Sequence, residues 1–192
     1  MLDKSVPYYN ILMCREPGCD IPDCPLPEGY SFSFFHDGNE NDWADIETSV
    51  LEFDGDRQRA IERFHSHFYC APEETRRRCV FLRDPEGKYI GTATIWWEYS
   101  GQRRDPWLSY VAIRPQYQGK GLSKALVSHM LRLSQTIEGD RRIYLHTQTW
   151  SHIAVRLYKK FGFYITREPD LYKYRNDEYE QAEIVLSELY DD

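Results

Sequence analysis

VAIRPQYQGKGLSKALVSHM, Val111 to Met130, is the stretch on which the reading of this chain turns. Val111 and Ile113 end a run of strand-forming residues, Pro115 stops it, and Gly119 and Gly121 bracket a lysine. Leu122, Leu126 and Met130 then recur four apart, as one face of a helix requires. The order is strand, glycine loop, helix. A helix entered this way presents unpaired backbone N–H groups and the positive end of its dipole to whatever lies in front of it. The two glycines remove Cβ atoms where a ligand has to approach the main chain, so the N–H groups of Gln118, Gly119, Lys120, Gly121, Leu122 and Ser123 can converge on a diphosphate. The pattern is not a P-loop, because the lysine precedes the second glycine and no Gly-Lys-Ser/Thr follows.

Upstream of this segment the hydrophobic period is that of strands. RCVFLRD, GKYIGTATIWWEYS and PWLSYVAI are rich in β-branched and aromatic residues, and Asp84-Pro85-Glu86-Gly87 supplies a turn between the first two. They predict an antiparallel meander. Before it, YSFSFFH reads as a strand, NDWADIETSVLEF as a helix with Trp43, Ile46, Val50 and Phe53 inward, and DRQRAIERFHSHFY as a second helix with Ile61, Phe64 and Phe68 inward, ending near Ala71-Pro72. Residues 1–29 contain Pro7, Pro17, Pro22, Pro25 and Pro27 and read as an irregular Pro- and Cys-containing arm, so that 30–192 is the single domain. Downstream, RIYLHTQTW is a strand, Ser151 to Phe161 a helix, and GFYITRE a strand. The predicted class is α/β with a mixed sheet, in the order β-α-α-β-β-β-α-β-α-β. EIVLSEL adds a final strand, although DEYEQAEIVLSEL reads equally well as a helix.

The chain has 192 residues, 41% of them hydrophobic and 29% charged, which suits a folded globular protein. A net charge of −7 argues against a nucleic-acid partner and fits cationic small molecules better. No apolar run approaches the ~18 residues of a membrane span, and MLDKSVPYYN does not read as a secretory signal, so a cytoplasmic location with no membrane partner is expected. Cys14, Cys19 and Cys24 match no common zinc spacing, and the five cysteines read as free thiols with no metal expected. A zinc-binding interaction protein built on those three is the reading that metal analysis would test.

TWSHIAVRLYKKFGF, Thr149 to Phe163, carries Ile153, Leu157 and Phe161 at helical spacing and ends at Gly162, as a helix C-terminus often does. Together with Gln116-x-x-Gly119-x-Gly121 before the preceding helix, AVRLYKKFGF closely resembles the two hallmark segments of the GNAT superfamily of acyl-CoA-dependent N-acyltransferases. The resemblance is tightest at 111–126 and 151–163. It implies acetyl-CoA as the acyl-donor cosubstrate, with the main chain at Val111 and Ile113 pairing with the pantetheine arm and the loop Gln118–Ser123 holding the diphosphate. It implies Tyr158 as the acid that protonates the departing thiolate. Ser151 stands where the family usually has asparagine, and Ser123 where glycine or alanine is usual; Ser151 can cap the helix and still touch the cofactor.

The implied reaction is direct attack of a primary amine on the acetyl carbonyl. An alkylammonium of pKa about 10.4 must first lose a proton. Glu98, Asp105 and His146 are the candidate bases, with Glu98 first. The first two helices, which wall the acceptor site in the resembling family, carry Asp42, Asp45, Glu47, Glu52, Asp54 and Asp56, a set that attracts a polyamine, an amino sugar or a lysine-bearing peptide if it faces the site. Trp96, Trp97, Tyr99 and Trp107 suit an acceptor pocket, core packing or a homodimer contact equally. The expected function is therefore acetyl transfer to the amine of a small cationic molecule or peptide; the alternative is a GNAT-fold sensor or interaction domain that binds acyl-CoA without transferring the acyl group.

Overall fold

The computed structural model describes residues 2–168, 170–171 and 173–190, the side chains of Ser100, Asp170 and Leu171 excepted. The strands are β1 (Asn10–Arg15), β2 (Ser31–Phe34), β3 (Cys79–Arg83), β4 (Tyr89–Ser100), β5 (Arg103–Ile113), β6 (Ile143–Gln148), β7 (Tyr164–Ile165), β8 (Asp170–Leu171) and β9 (Tyr174–Arg175). The helices are α1 (Glu40–Ser49), α2 (Arg57–Phe68), α3 (Pro72–Arg78), α4 (Leu122–Glu138), α5 (His152–Lys160) and α6 (Tyr179–Tyr190), with short 3-10 turns at Glu52–Gly55, Pro115–Tyr117 and Thr149–Ser151. Seven strands pair in the order β2-β3-β4-β5-β6-β1-β7; β2 with β3, β3 with β4, and β1 with both β6 and β7 run antiparallel, β5 and β6 pair in parallel at Trp107 and Tyr144, and β8 and β9 form a separate antiparallel hairpin. The mixed sheet is as the sequence reads, and the predicted order holds from β2 to β7 with α3 inserted; β1, the β8–β9 hairpin and α6 lie outside it.

The chain divides into two compact units. The first comprises 23–95 and 110–133. Its helices cover a core of Phe35, Trp43, Ile46, Phe64, Phe68, Phe81 and Ile90, all buried. Gly91 is a glycine because a Cβ there would stand 2.9 Å from the carbonyl oxygen of Ala112. α3 has no apolar stripe and was not predicted. It is held instead by Pro72 in its first turn and by ion pairs of Glu73 with Arg76 and of Glu74 with Arg77 and the buried Arg78.

The second unit comprises 2–22, 96–109 and 134–192. Two expectations are corrected here. Residues 10–15 of the supposedly irregular arm form β1, an interior strand between β6 and β7 whose residues Ile11 to Arg15 are all buried. A strand covered on both faces shows a continuous apolar run rather than alternation, so NILMC between prolines lacks the period-2 signal. The buried Arg15 donates to the carbonyls of Phe161 at 2.8 Å and Cys19 at 2.7 Å. The C-terminal segment is the helix α6 rather than a final strand: Ala182, Val185 and Leu186 are buried at helical spacing while Ile184 is 59% exposed. Trp107, Tyr144, Leu12 and Cys14 form a core cluster with Tyr174 packed against it.

Candidate functional site

In the first unit β5 ends through a fixed set of bonds. Arg114 donates its N–H to Ile90 O at 2.8 Å and its Nε to Tyr89 O at 3.1 Å. The Gln118 side chain reaches back to Ile113 O at 2.8 Å. Val111 and Ile113 thus lie on the strand and Gln118 anchors the loop to its end, which takes the Ile113 carbonyl into an internal bond. Tyr117, in the turn Pro115–Tyr117, donates its hydroxyl to Asp84 Oδ2 at 2.7 Å. Burial alone would raise the Asp84 carboxyl, but the Tyr117 hydroxyl and the N–H groups of Lys88 and Glu86 outweigh it and hold the carboxyl below its usual range.

Gly119 and Gly121 both sit at φ +79, a conformation that side chains avoid. A Cβ built at either would meet nothing within 4 Å. The glycines are therefore not required by internal packing; they set the turn and leave the main chain open in front. α4 begins at Leu122, with Ala125 N–H bonded to Gly121 O at 3.3 Å, so the N–H groups of Leu122 and Ser123 precede the first intrahelical bond. Lys120 lies with its Nζ 5.3 Å from the Tyr117 ring centroid. The loop residues Gln118, Gly119, Lys120 and Gly121 are exposed and run directly into the buried Leu122 and half-buried Ser123 at the start of α4, an arrangement of main-chain N–H groups that suits an anion with more than one charge.

The second unit holds the other predicted residues. Tyr158 lies on the buried face of α5 with Val155, 7% exposed, its ring edge-on to Phe163 at 5.9 Å. Ile153, expected inward, is 71% exposed, because the buried stripe runs through Val155, Tyr158 and Phe161. Ser151 precedes α5 but makes no capping bond; its Oγ accepts from Gln148 Nε2 at 3.3 Å. Glu98 is buried on β4 with Lys173 Nζ at 3.8 Å. Asp105 accepts from Arg103 Nε at 2.8 Å. The His146 ring stacks on Tyr174 at 4.2 Å and its Nε2 lies 3.1 Å from Asn10 Oδ1. Asn10 Nδ2 is engaged by Glu178 at 2.6 Å, so the ring nitrogen is the donor in that contact. Burial and the nearby Lys173 charge lower the imidazole to about 4, leaving it neutral and weakly basic near pH 7. Of the aromatic group, Trp96 and Trp107 are buried while Tyr99 is 52% exposed.

The acidic set on α1 and α2 is mostly engaged. Asp45 pairs with Arg57 at 2.6 Å and Asp54 with Arg59 at 3.6 Å. Asp42 accepts from Asn39 Nδ2 at 3.0 Å, and Asp56 is the N-cap of α2, accepting from Arg59 N at 3.1 Å. Glu47 is different: it is 2% exposed and its Oε1 has no hydrogen-bond partner. Trp43 Nε1, one turn earlier on the same face, is also buried without one. Burial, with the Glu52 charge added, pushes the Glu47 carboxyl well above its usual value of 4.5. The sequence places Glu47 in the acidic wall; its helical register with the buried Trp43 is the signal that sets it apart.

Against known proteins, the model of the acetyltransferase (GNAT) family matches residues 32–163, more than half of the chain. The chain belongs to that family. Within it, the mycothiol acetyltransferase of Streptomyces coelicolor is 28% identical over 171 residues, covering 85% of this chain and 52% of the relative. The spermine/spermidine N(1)-acetyltransferase of Bacillus subtilis is 33% identical over 89 residues, covering 44% of this chain and 59% of the relative. The chain spans about half the length of these curated relatives. Among solved structures, a GCN5-related N-acetyltransferase from Sphaerobacter thermophilus shares the fold with a TM-score of 0.60 at 21% identity, over 82% of this chain and 48% of that one. Arabidopsis thaliana Naa50, in complex with the bisubstrate analogue CoA-Ac-MVNAL, does so with a TM-score of 0.56 at 22% identity, over 72% of this chain and 85% of that one. Among the described residues no helix is long and apolar enough to cross a membrane, and no group of three or more His, Cys, Asp or Glu side chains is placed to hold a metal ion.

Proposed function

We propose that this chain transfers the acetyl group of acetyl-CoA to a primary amine of a small cationic molecule or peptide by direct attack. The observation that carries the reading is the Gln118–Ser123 loop, with two glycines at φ +79 facing open space at the start of α4. Main-chain N–H groups arranged so fit a diphosphate without a side-chain charge. The donor supplies an activated acetyl thioester; the residues of this chain bind its diphosphate through the loop and meet its pantetheine arm along Val111 and Ile113. In the transfer a C–N bond forms as the C–S bond breaks, one proton leaves the amine nitrogen and one reaches the departing sulfur, the latter from Tyr158 in this reading. Glu98 is the carboxylate assigned to the amine proton, and Ser151, as acceptor of the Gln148 amide, lines the start of α5. The printed acceptors of relatives, spermine or spermidine in one and a peptide in another, are both amines of the proposed class.

A second reading, acyl-CoA binding without transfer, is favoured by one observation: Glu98 stands beside Lys173, and His146, lowered to about 4, is too weak a base to draw a proton from an alkylammonium. Incubation with acetyl-CoA and an amine panel, following free thiol and the mass of the acylated amine, separates the two. Stoichiometric thiol and N-acetylamine are expected. Tight CoA binding with no thiol release from any amine would overturn transfer in favour of the sensor.

A further inference from the structure

In the second unit one lysine acts on two of the groups considered for the amine proton. Lys173, which immediately precedes β9, places its Nζ 3.8 Å from Glu98 Oε1 on β4, and its charge is the cause, after burial, that lowers the His146 imidazole on β6. The adjacent Tyr174 fixes where that charge sits. Its ring stacks on His146 at 4.2 Å and 18°, lies 5.3 Å from the Trp107 ring, and packs against the core cluster. Glu98 is buried whereas the Lys173 side chain is 43% exposed, so the lysine reaches from the surface onto a carboxyl within the fold.

The other charges on the surrounding elements are matched among themselves. Arg103 pairs with Asp105 on β5 at 2.8 Å, Arg142 with Glu16 at 2.8 Å and Glu168 at 2.6 Å beside the Tyr144 hydroxyl, and Arg175 with Asp177 at 3.8 Å. Glu178 accepts from both nitrogens of Asn10, at 2.7 and 2.6 Å, and Asn10 Oδ1 faces the His146 ring. Lys173 is a cation shared by Glu98 and His146, and it works on them in opposite senses. A nearby positive charge favours an ionised carboxylate and opposes a protonated imidazole. Burial opposes the charged form of both, so at Glu98 the lysine offsets burial and at His146 it adds to it. A carboxyl that stays protonated cannot take the amine proton; a carboxylate can.

We propose that Lys173 is a positioning residue of the transfer, whose charge keeps Glu98 in the ionised form that takes the amine proton and excludes His146 from that task. The role rests on the acyl-transfer reading, but the charge assignment is tested on the protein alone. NMR titration of the Glu98 carboxyl and the His146 ring, assigned with Glu98→Gln and His146→Asn, is run on the full chain and on Lys173→Met. In Lys173→Met the carboxyl midpoint moves up by about one pH unit, the low end for a neighbouring cation because the lysine is partly exposed. The His146 midpoint also rises but stays below 6.5, since burial remains. The acid limb of kcat/KM for an alkylamine acceptor moves up with the carboxyl. Lys173→Arg restores all three, and Arg175→Met, which removes an exposed charge from the same hairpin, moves none. Unmoved carboxyl and imidazole midpoints in Lys173→Met overturn the charge assignment, and a moved carboxyl with an unmoved acid limb overturns the role in transfer. Absence of thiol release by wild type at every pH removes the acyl-transfer reading instead, and the carboxyl titration still decides the charge assignment.

Discussion

The loop from Gln118 to Ser123 and the turn from Leu51 to Asp56 both use backbone that side chains avoid, and they do so for opposite ends. In the loop, glycines at φ +79 give up side chains so that the main chain is exposed. In the turn, Leu51, Phe53 and Asp54 hold φ of 71, 56 and 55, so the main chain is strained to place side chains. A left-handed non-glycine residue costs about 1–2 kcal/mol. The loop's chemistry therefore belongs to the N–H groups and survives changes in side chain that keep the glycines. The turn instead places particular side chains: the Phe53 ring lies 5.9 Å from Trp43 and 6.4 Å from Tyr110, and Asp54 pairs with Arg59.

The comparison can be broken most severely at a side chain. Tyr158→Phe keeps the ring on α5 and removes the hydroxyl, and turnover should fall by about 10²- to 10⁴-fold with CoA affinity unchanged, as followed by thiol release and by calorimetry. Equal turnover would make Tyr158 a packing residue. Next in size is the stability of Glu47→Gln. Because burial raises the folded carboxyl above 4.5, the folded state is stabilised only while Glu47 is protonated, and that contribution is lost as pH rises from about 4.5 toward the raised value. Glutamine keeps a buried polar amide but has no charge to bury, so the variant should have a Tm a few degrees above wild type at pH 7, a gain that shrinks toward pH 4. A destabilised variant at pH 7 would contradict the unpartnered carboxyl.

Asp56→Ala removes the N-cap of α2 and should cost about 1 kcal/mol in a denaturant titration, which makes Asp56 a structural member of the acidic set rather than part of an acceptor wall. The smallest effect belongs to the loop's own support. Tyr117→Phe deletes the donor that helps hold Asp84 below its usual range, so a small loss of stability should be present at pH 7. A carboxyl of depressed folded pKa stabilises above its unfolded value and loses that contribution as pH falls through the folded value, so the difference between the two proteins should vanish in strong acid.

These two regions also show what a sequence discloses. The loop was readable because glycine at a fixed spacing before an amphipathic helix is a local signal, and Leu122, Leu126 and Met130 are buried as that spacing predicts. The acidic wall was readable only as a count of carboxylates: nothing local says that Asp45 meets Arg57, that Asp56 caps α2, or that Glu47 is buried. β1 was hidden by its prolines and by burial on both faces, α3 by the lack of an apolar stripe, and α6 by an apolar run, Ile184-Val185-Leu186, that fits either period. The misses share a cause. Each depends on partners distant in sequence, whereas glycine conformation and helix periodicity are properties of the segment itself.

The claim on which the account rests is that the main chain of the Gln118–Ser123 loop holds the diphosphate of the donor. Calorimetric titration of CoA and of pantetheine, which lacks the diphosphate, into wild type and Gly121→Val tests it directly. Valine at φ +79 is strained and puts a branched side chain into the space that the glycine leaves open. Wild type should bind CoA at least about 100-fold more tightly than pantetheine, the equivalent of two charge-assisted hydrogen bonds at ~1.5 kcal/mol each, and in Gly121→Val that preference should collapse. A folded Gly121→Val protein that binds CoA with wild-type affinity would contradict the account.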